Sequence, residues 1–145
     1  MTVDVLTEIE IARRREEVAP YAADPDNATM WYRNIKRVQW ETPRPLQAGS
    51  RIAFVAQFLG RTIAYTYEVK EMVLPERFVM ATFEGAFTME TTYWWSDTPS
   101  GGTRMTLRNR GTPSGFGKIA APLLMTAMRR ANRMDLKSLK EILEA

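Results

Sequence analysis

The spacing of apolar residues changes once along this chain, and that change restricts the folds it can adopt. Up to about residue 112, apolar side chains alternate with polar ones, as in β-strands that bury one face. Residues 118–144 contain no glycine, and their apolar side chains recur every three or four positions, which is typical of an amphipathic helix. The only large surface that this helix can cover is the sheet. The pattern therefore predicts an α+β fold with a long C-terminal helix packed on a sheet.

Seven segments rich in alternating or strand-forming residues predict seven strands. They read "VDVLTEIEI", "IKRVQWET", "RIAFVAQFLG", "TIAYTYEVKEMV", "FVMATFEG", "AFTMETTYWWS" and "TRMTLRNRG". After the second strand, short loops separate them, several with proline or glycine, such as "PRPLQAGS", "LPER" and "DTPSGG". This hairpin-like spacing predicts that consecutive strands pair as an antiparallel meander.

Two short helices are expected between the first and second strands. The apolar residues of "VAPYAA" have helical spacing, and this helix should end before Pro25, because the residue preceding a proline avoids the helical region. The segment "DNATMWYRN" predicts a second short helix with Asp26 or Asn27 as its N-cap. In the long helix, Pro122 near the start either bends the helix or marks where it begins.

This order of elements resembles the helix-grip fold of the START-related (SRPBCC) superfamily. The segment "EIEIARRREEVAPYAADPDNATMWYRNIKRVQW" resembles the family's opening, with Trp31 before the second strand, although Arg14 and Arg15 stand where the family often has prolines. "LQAGSRI", "YEVKEMVLPERFVM", "SGGTRMTL" and "ANRMDLKSLKEILE" resemble later family segments in the same order. The likeness covers nearly the whole chain. It implies a single START-like domain, residues 1–145, in which a seven-stranded curved antiparallel sheet wraps around the C-terminal helix.

The resemblance also implies a class of function. In this superfamily the curved sheet and the helix leave a cavity between them. Members bind or carry lipids, sterols and polyketides, and some are cyclases or aromatases. Because one fold hosts many functions, the choice among these depends on the residues of the site.

The chain contains no cysteine and no histidine. Their absence excludes disulfides, thiolate catalysis, the serine–histidine triad and the usual zinc ligands. The segment "GFGK" lacks the spacing of a phosphate-binding loop. We therefore expect no metal and no other cofactor, and any catalysis must use Asp, Glu, Lys, Arg, Tyr, Ser or Thr.

The alternation also assigns residues to the sheet face that meets the helix, and so predicts the lining of a cavity. The expected ligand-binding residues are Phe54, Phe58, Tyr65, Tyr67, Phe87, Met89, Thr91, Tyr93, Trp95 and Asn109 from the strands and Leu124 and Met128 from the helix, with Ala131 and Asn132 beside them. Three of them are tyrosines, and a buried hydroxyl without a partner costs about 1–3 kcal/mol. Water or a polar-tipped ligand in a hollow would satisfy these hydroxyls; the alternative is that they reach the rim.

The adjacent tryptophans Trp94 and Trp95 must point to opposite faces of their strand. Trp95 is expected inside and Trp94 outside, where Trp94 either marks a self-association surface, giving a homodimer, or is a solitary surface side chain. The same alternation sends Glu68 and Glu90 outward into cross-strand ion pairs. Only a local bulge that turned Glu90 inward would make it a carboxylate with a raised pKa and a candidate general base.

Basic residues concentrate in the last part of the chain. Residues 101–145 hold 9 Lys and Arg and 3 Asp and Glu, whereas residues 1–100 hold 11 and 14. The excess of basic residues fits either a solvated helix face or a surface that binds an anionic partner. Because the basic residues are not interleaved with aromatics, no nucleic-acid partner is expected. The chain has no run of 18 apolar residues, so no membrane span is predicted. Its charged start is unlike a signal peptide, and the lack of cysteine favours a cytoplasmic location.

Three functions fit these observations. The first is binding or carriage of a hydrophobic small molecule, such as a lipid or polyketide, between sheet and helix. The second is a polyketide cyclase- or aromatase-like enzyme without metal, in which a tyrosine hydroxyl polarises a carbonyl while the cavity folds the substrate. The third is a protein- or membrane-interaction module with a solid core. The first two functions require a cavity between the sheet and the helix, whereas the third has a solid core.

Overall fold

A computed structural model describes residues 2–85 and 87–145. Its elements, in chain order, are β1 (Val3–Ile11), α1 (Arg15–Ala23), a 3₁₀ turn (Pro25–Asn27), α2 (Ala28–Trp31), β2 (Ile35–Trp40), β3 (Arg51–Phe58), β4 (Arg61–Val73), β5 (Arg77–Thr82), β6 (Thr88–Asp97), β7 (Thr103–Thr112) and α3 (Ala121–Glu144). The predicted strands, short helices and terminal helix are all present, and the α+β helix-grip fold is confirmed. Among the helices of residues 2–85 and 87–145, none combines the length and the hydrophobicity that a membrane span requires.

The seven strands form one antiparallel sheet in the order β1-β7-β6-β5-β4-β3-β2. Strands β2 to β7 make the predicted meander, because each pairs with the next strand in sequence. β1 instead lies beside β7 along its whole length, from Val3 opposite Gly111 to Ile11 opposite Thr103. The first strand therefore joins the sheet only through the last one.

Two β-bulges curve the sheet. In β2 the pairing with β3 shifts at Ile35–Arg37, and in β4 the pairing with β5 shifts at Val69–Glu71. A bulge bends its strand and increases the local twist, so both irregularities add curvature to the sheet. Neither segment contains glycine or proline, so no residue type marks the bulges in the sequence.

The helix α3 begins at the proline near its start. Pro122 lies in the first turn, where its missing N–H leaves no helical hydrogen bond unmade, so it marks the beginning of the helix. Leu136 and Leu139 are 1% and 0% exposed, and the helix packs mainly on β1 and α2. The predicted amphipathic face therefore meets the inner side of the sheet.

The end of α3 is fixed to the end of β1 by two polar contacts. Lys140 Nζ donates a hydrogen bond to the backbone oxygen of Glu10 at 2.8 Å. The backbone N–H of Ala12 donates to Glu144 Oε2, also at 2.8 Å. Because Lys140 and Glu144 also pair with each other, the last turn of the helix is held against the strand.

The capping between β1 and β2 differs from the sequence prediction. Asn27 stands at the N-cap position of α2, but its side chain makes no capping hydrogen bond. Asp26, the other candidate, accepts hydrogen bonds from Trp40 Nε1 at 2.9 Å and from Arg44 at 2.8 Å. The capping residue is Asp24, whose Oδ1 accepts from the N–H of Asp26 at 2.9 Å. The reason is that the 3₁₀ turn runs directly into α2, so the first free N–H groups are those of the turn.

The outer face of the sheet carries the predicted ion pairs. Glu90 pairs with Arg110 at 3.0 Å, and Glu68 pairs with Arg51 at 3.1 Å. Both glutamates point away from α3. No bulge turns Glu90 inward, so it is not available as a general base in the interior.

The two adjacent tryptophans occupy the predicted faces. Trp95 is 2% exposed on the inner side of β6. Trp94 is half-buried on the outer side, where Arg77 of β5 and Thr106 of β7 are its cross-strand neighbours. Self-association through Trp94 stays a prediction.

Candidate functional site

A cavity of about 150 Å³ lies between the inner face of the sheet, α3 and the α1–α2 connection. Ten of the twelve residues expected at a ligand line this cavity: Phe54, Phe58, Tyr65, Tyr67, Phe87, Met89, Thr91, Tyr93, Asn109 and Met128. Ala131 and Asn132 of α3 line it as well. The alternation of the strands therefore identifies one continuous wall, and contact of these residues with a ligand stays a prediction.

The other two expected residues, Trp95 and Leu124, do not line the cavity. They are 2% and 1% exposed and belong to the packed core. Trp95 lies opposite Met105 and packs edge-on against Tyr93, with ring centroids 5.8 Å apart. Alternation assigns a residue to a face but not to a position along that face, which is why the sequence could not separate core from cavity here.

One wall of the cavity is aromatic and centred on Tyr65. Its ring lies 5.6 Å from that of Phe54 in a stacked arrangement and 5.3 Å from that of Phe87. The ring of Tyr67 meets it edge-on at 5.1 Å. Such contacts add about 0.5–1.5 kcal/mol per pair beyond burial and hold this wall in one arrangement.

The hydroxyl of Tyr67 is satisfied by the protein itself. Tyr67 Oη lies 2.7 Å from Thr91 Oγ1, which in turn donates to Asn109 Oδ1 at 2.7 Å. Because Thr91 gives its only proton to Asn109, Tyr67 is the donor to Thr91. Burial raises the pKa of Tyr67 to about 12. This hydroxyl therefore does not need a ligand.

The hydroxyls of Tyr32 and Tyr93, two residues that line the cavity, are hydrogen-bonded to each other. Tyr32 follows α2 directly and was not among the expected residues. Burial raises the pKa of both phenols well above the usual value, so both stay protonated at neutral pH. The pair is a neutral hydroxyl cluster between the α2 side and the sheet side of the cavity.

A buried carboxyl from α3, Asp135, also lines the cavity and was missed by the sequence analysis. It is 2% exposed, and its Oδ1 accepts a hydrogen bond from the backbone N–H of Arg33 at 3.0 Å. Burial raises the pKa of Asp135 from 3.8 to about 6, and the Arg33 hydrogen bond and charge oppose the shift. Asp135 can therefore change its protonation state close to neutral pH.

One turn before Asp135, the amide of Asn132 lines the same cavity and is 7% exposed. Its Nδ2 has no hydrogen-bond partner among the residues that the structure describes. Buried amide donors are nearly always paired, and each exception calls for an explanation such as an absent ligand or water.

A sequence signal for both residues existed. Asn132 and Asp135 fall four and seven positions after Met128, which is the spacing of the apolar face of α3. Two polar residues on an otherwise apolar stripe are the kind of departure that marks a site. Tyr32 carried no such signal, because it lies in a connection without regular periodicity.

The charged side chains that line the cavity are all acidic. Within the described ranges its lining contains Asp24 and Asp135 but no lysine or arginine. In the same ranges, no three His, Cys, Asp or Glu side chains are grouped so as to hold a metal ion. The cavity therefore offers hydroxyls, amides and carboxyls, but no cationic side chain.

A surface groove adjoins the cavity near the middle of α3. It shares Asn34, Phe58, Ala131 and Asp135 with the cavity. Its further lining includes the exposed Leu59, Leu123 and Met134 and the basic Arg33 and Arg130. The groove brings the surface close to the polar end of the cavity.

Comparison with known proteins adds a family. The family described as "Polyketide cyclase / dehydrase and lipid transport" matches residues 2–144. No curated protein matches the sequence.

Several solved structures share the fold. The protein TTHA0849 from Thermus thermophilus is 23% identical, with 95% of this chain and 94% of that one covered and a TM-score of 0.79. A START superfamily protein from Mycobacterium smegmatis is 12% identical, with 97% of each chain covered and a TM-score of 0.83. The Zhui aromatase/cyclase from a Streptomyces species is 14% identical, with 99% and 94% covered and a TM-score of 0.78. At these identities the likeness concerns the fold.

Proposed function

The chain belongs to the polyketide cyclase/dehydrase and lipid transport family, and from this premise we propose that it binds a small hydrophobic molecule in the cavity between the sheet and α3. The observation that carries the proposal is the hollow itself, about 150 Å³ in volume, with an aromatic wall and a few polar groups gathered at α3 and at the tyrosine hydroxyls. Concave, mostly apolar sites with a few convergent polar groups are the usual form of small-molecule sites.

The volume limits the size of the ligand. Sites for drug-sized molecules span about 300–1,000 Å³, whereas an apolar cavity of about 150 Å³ accepts a molecule the size of benzene. In the present conformation the cavity therefore accepts one ring or a short chain. Three flexible methionines, Met80, Met89 and Met128, line it, and their movement would make room for a longer ligand.

Native mass spectrometry of the protein purified from its host tests the proposal, with an apolar adduct as the expected result. The matched variants are Ala131→Phe, which places a ring in the cavity, and Lys137→Phe, which places the same ring at an exposed position of the same helix. We expect the first variant to lose the adduct and the second to keep it. Equal adducts in both variants would place the ligand elsewhere.

A second candidate is a cyclase- or aromatase-like enzyme, because the cavity holds the means for proton transfer. Asp135 has a pKa of about 6 and can accept a proton near neutral pH, while the paired hydroxyls of Tyr32 and Tyr93 can polarise a carbonyl group. A cavity that folds a flexible chain supplies the orientation that cyclisation needs.

The variant Tyr93→Phe distinguishes catalysis from binding. It removes one hydroxyl of the pair and keeps the ring. For an enzyme acting on a poly-β-ketone chain, we expect turnover to fall about 100-fold or more with little change in substrate affinity. Unchanged turnover would leave ligand binding as the function.

The third hypothesis, an interaction module, required a filled interior, and the hollow described above disfavours it. A homodimer through the outer sheet face, the absence of a nucleic-acid partner and a cytoplasmic location stay predictions. Light scattering of the purified protein tests the homodimer.

A further inference from the structure

One end of the cavity is polar, and it comes from a single turn of α3. Asn132 and Asp135 are three residues apart, and side chains at this spacing share a helix face with Cβ atoms about 5–6 Å apart. Both line the cavity, and both are more than nine-tenths buried, at 7% and 2% exposure. They offer an amide and a carboxyl side by side to whatever fills the cavity.

The unpaired amide of Asn132 indicates a hydrogen-bond acceptor on the ligand. Its Nδ2 is buried and has no partner among the described residues. The amide turns about its last torsion angle at little cost, so it can present its N–H groups to the cavity. A ligand oxygen that accepts one of them removes the cost of an unpaired buried donor.

The carboxylate of Asp135 indicates a hydrogen-bond donor on the ligand. Its Oδ1 accepts one hydrogen bond, from the backbone N–H of Arg33, and a carboxylate has further lone pairs to offer. The other groups that sense its charge are the guanidinium of Arg33 and the phenols of Tyr32, Tyr65 and Tyr93. The phenols stay neutral because their pKa values are raised.

A carboxylate ligand does not fit this end of the cavity. No lysine or arginine lines the cavity within the described ranges, and Arg33 and Arg130 line the adjoining groove instead. A second carboxylate beside Asp135 would therefore have no compensating cation inside the cavity. An ammonium group would pair with Asp135, but it would leave the Asn132 donor unpaired and would lose its own hydration.

We propose that the cavity selects a small apolar molecule with an uncharged head that accepts and donates hydrogen bonds through adjacent atoms, a carboxamide being the simplest case, and rejects the matching carboxylate. The carbonyl oxygen of the head accepts from Asn132 Nδ2, and its N–H donates to the Asp135 carboxylate. The inference rests on the proposed function and adds the chemistry of the head group.

Four single-ring probes test the inference by calorimetry on the full chain at neutral pH: toluene, benzamide, benzoate and benzylamine. We expect benzamide to bind about tenfold or more tightly than benzoate. Benzoate or benzylamine binding as tightly as benzamide overturns the inference. If none of the four probes binds, the proposed function fails; if toluene binds and benzamide has no advantage over benzoate, only the head-group inference fails.

Two variants assign the effect to the two side chains. In Asn132→Leu, which keeps the branching and the number of side-chain heavy atoms, benzamide affinity should fall about tenfold relative to toluene affinity. In Asp135→Asn, benzoate should come within about threefold of benzamide. Glu141→Gln removes an exposed carboxyl from the same helix and should leave all four affinities unchanged. If both site variants are folded by circular dichroism and their probe affinities are unchanged, the head-group inference is wrong.

Discussion

At the residue scale, Asp135 couples the cavity to pH. Its pKa is about 6 in the folded protein and ordinarily 3.8, because burial disfavours the charged form. The folded protein therefore holds this proton to a higher pH than the unfolded chain does. Its contribution to the free energy of unfolding falls as the pH rises from about 4 to about 6 and is constant above that range.

The variant Asp135→Asn removes this dependence and keeps an acceptor for the Arg33 N–H. The free energy of unfolding of the variant, relative to the unmodified protein, should rise by up to about 3 kcal/mol between pH 4 and pH 7. Urea denaturation at a series of pH values measures it, with Glu141→Gln as the control, since that carboxyl is exposed. Parallel pH curves for Asp135→Asn and the unmodified protein would contradict the assigned pKa.

A second residue-scale prediction concerns Thr91, which bridges Tyr67 and Asn109. Thr91→Val keeps the shape but leaves both partners without their bond, at a cost of about 1–3 kcal/mol in the free energy of unfolding. Thr88→Val changes an exposed position of the same strand and should cost much less. Chemical denaturation of the two variants gives the difference; equal values would show that the bridge does not stabilise the fold.

Most residues that line the cavity could be predicted from the sequence, for a physical reason. Strict alternation in β3, β4 and β6 fixes which side chains share the inner face, so residues such as Phe54, Tyr65 and Met89 were assigned correctly to it. Asp135 was missed because charged residues on helices are usually solvated, although its position on the apolar face of α3 was visible. Tyr32 was missed because no periodicity covers its connection.

At the element scale, the backbone of β6 leaves no room for a side chain at Gly111 of β7. A Cβ built on Gly111 would lie 2.2 Å from the backbone oxygen of Thr88 and 2.8 Å from the Cα of Met89. Both contacts are with backbone, so a side chain here would force the strands apart at one margin of the cavity.

Gly111→Ala should therefore lower the free energy of unfolding by about 1–3 kcal/mol. Gly117→Ala is the matched control, because a Cβ there meets no atom within 4 Å. Thermal or urea unfolding of the two variants measures the difference. If Gly111→Ala leaves the free energy of unfolding unchanged, β6 and β7 separate at this point without cost.

Element boundaries followed from the sequence more readily than curvature did. β1 and the terminal helix were predicted because their periodicities are long and regular. The bulges at Ile35–Arg37 and Val69–Glu71 arise from the pairing of two strands, and no single strand encodes them. Since these bulges bend the sheet, the volume left above it could not be derived from the sequence.

At the scale of the whole molecule, an occupied cavity should stabilise the fold, because a ligand that binds only the folded state adds its binding free energy to that of unfolding. A ligand at 100 times its dissociation constant adds about 2.7 kcal/mol. Scanning calorimetry with and without toluene measures this as a higher unfolding temperature. Ala131→Phe, which fills the cavity, should show no such increase; an equal increase in that variant would contradict binding at this site.

The pairing of β1 with β7 has a consequence for synthesis on the ribosome. Of the seven strands that the structure describes, β1 is synthesised first, yet the strand it pairs with is synthesised last. Until then its edge has nothing to hydrogen-bond to, and the face that α3 later covers is open to water. The nascent chain therefore completes its sheet only after β7 has been synthesised, and a chaperone that shields unpaired strands would act on β1 until then.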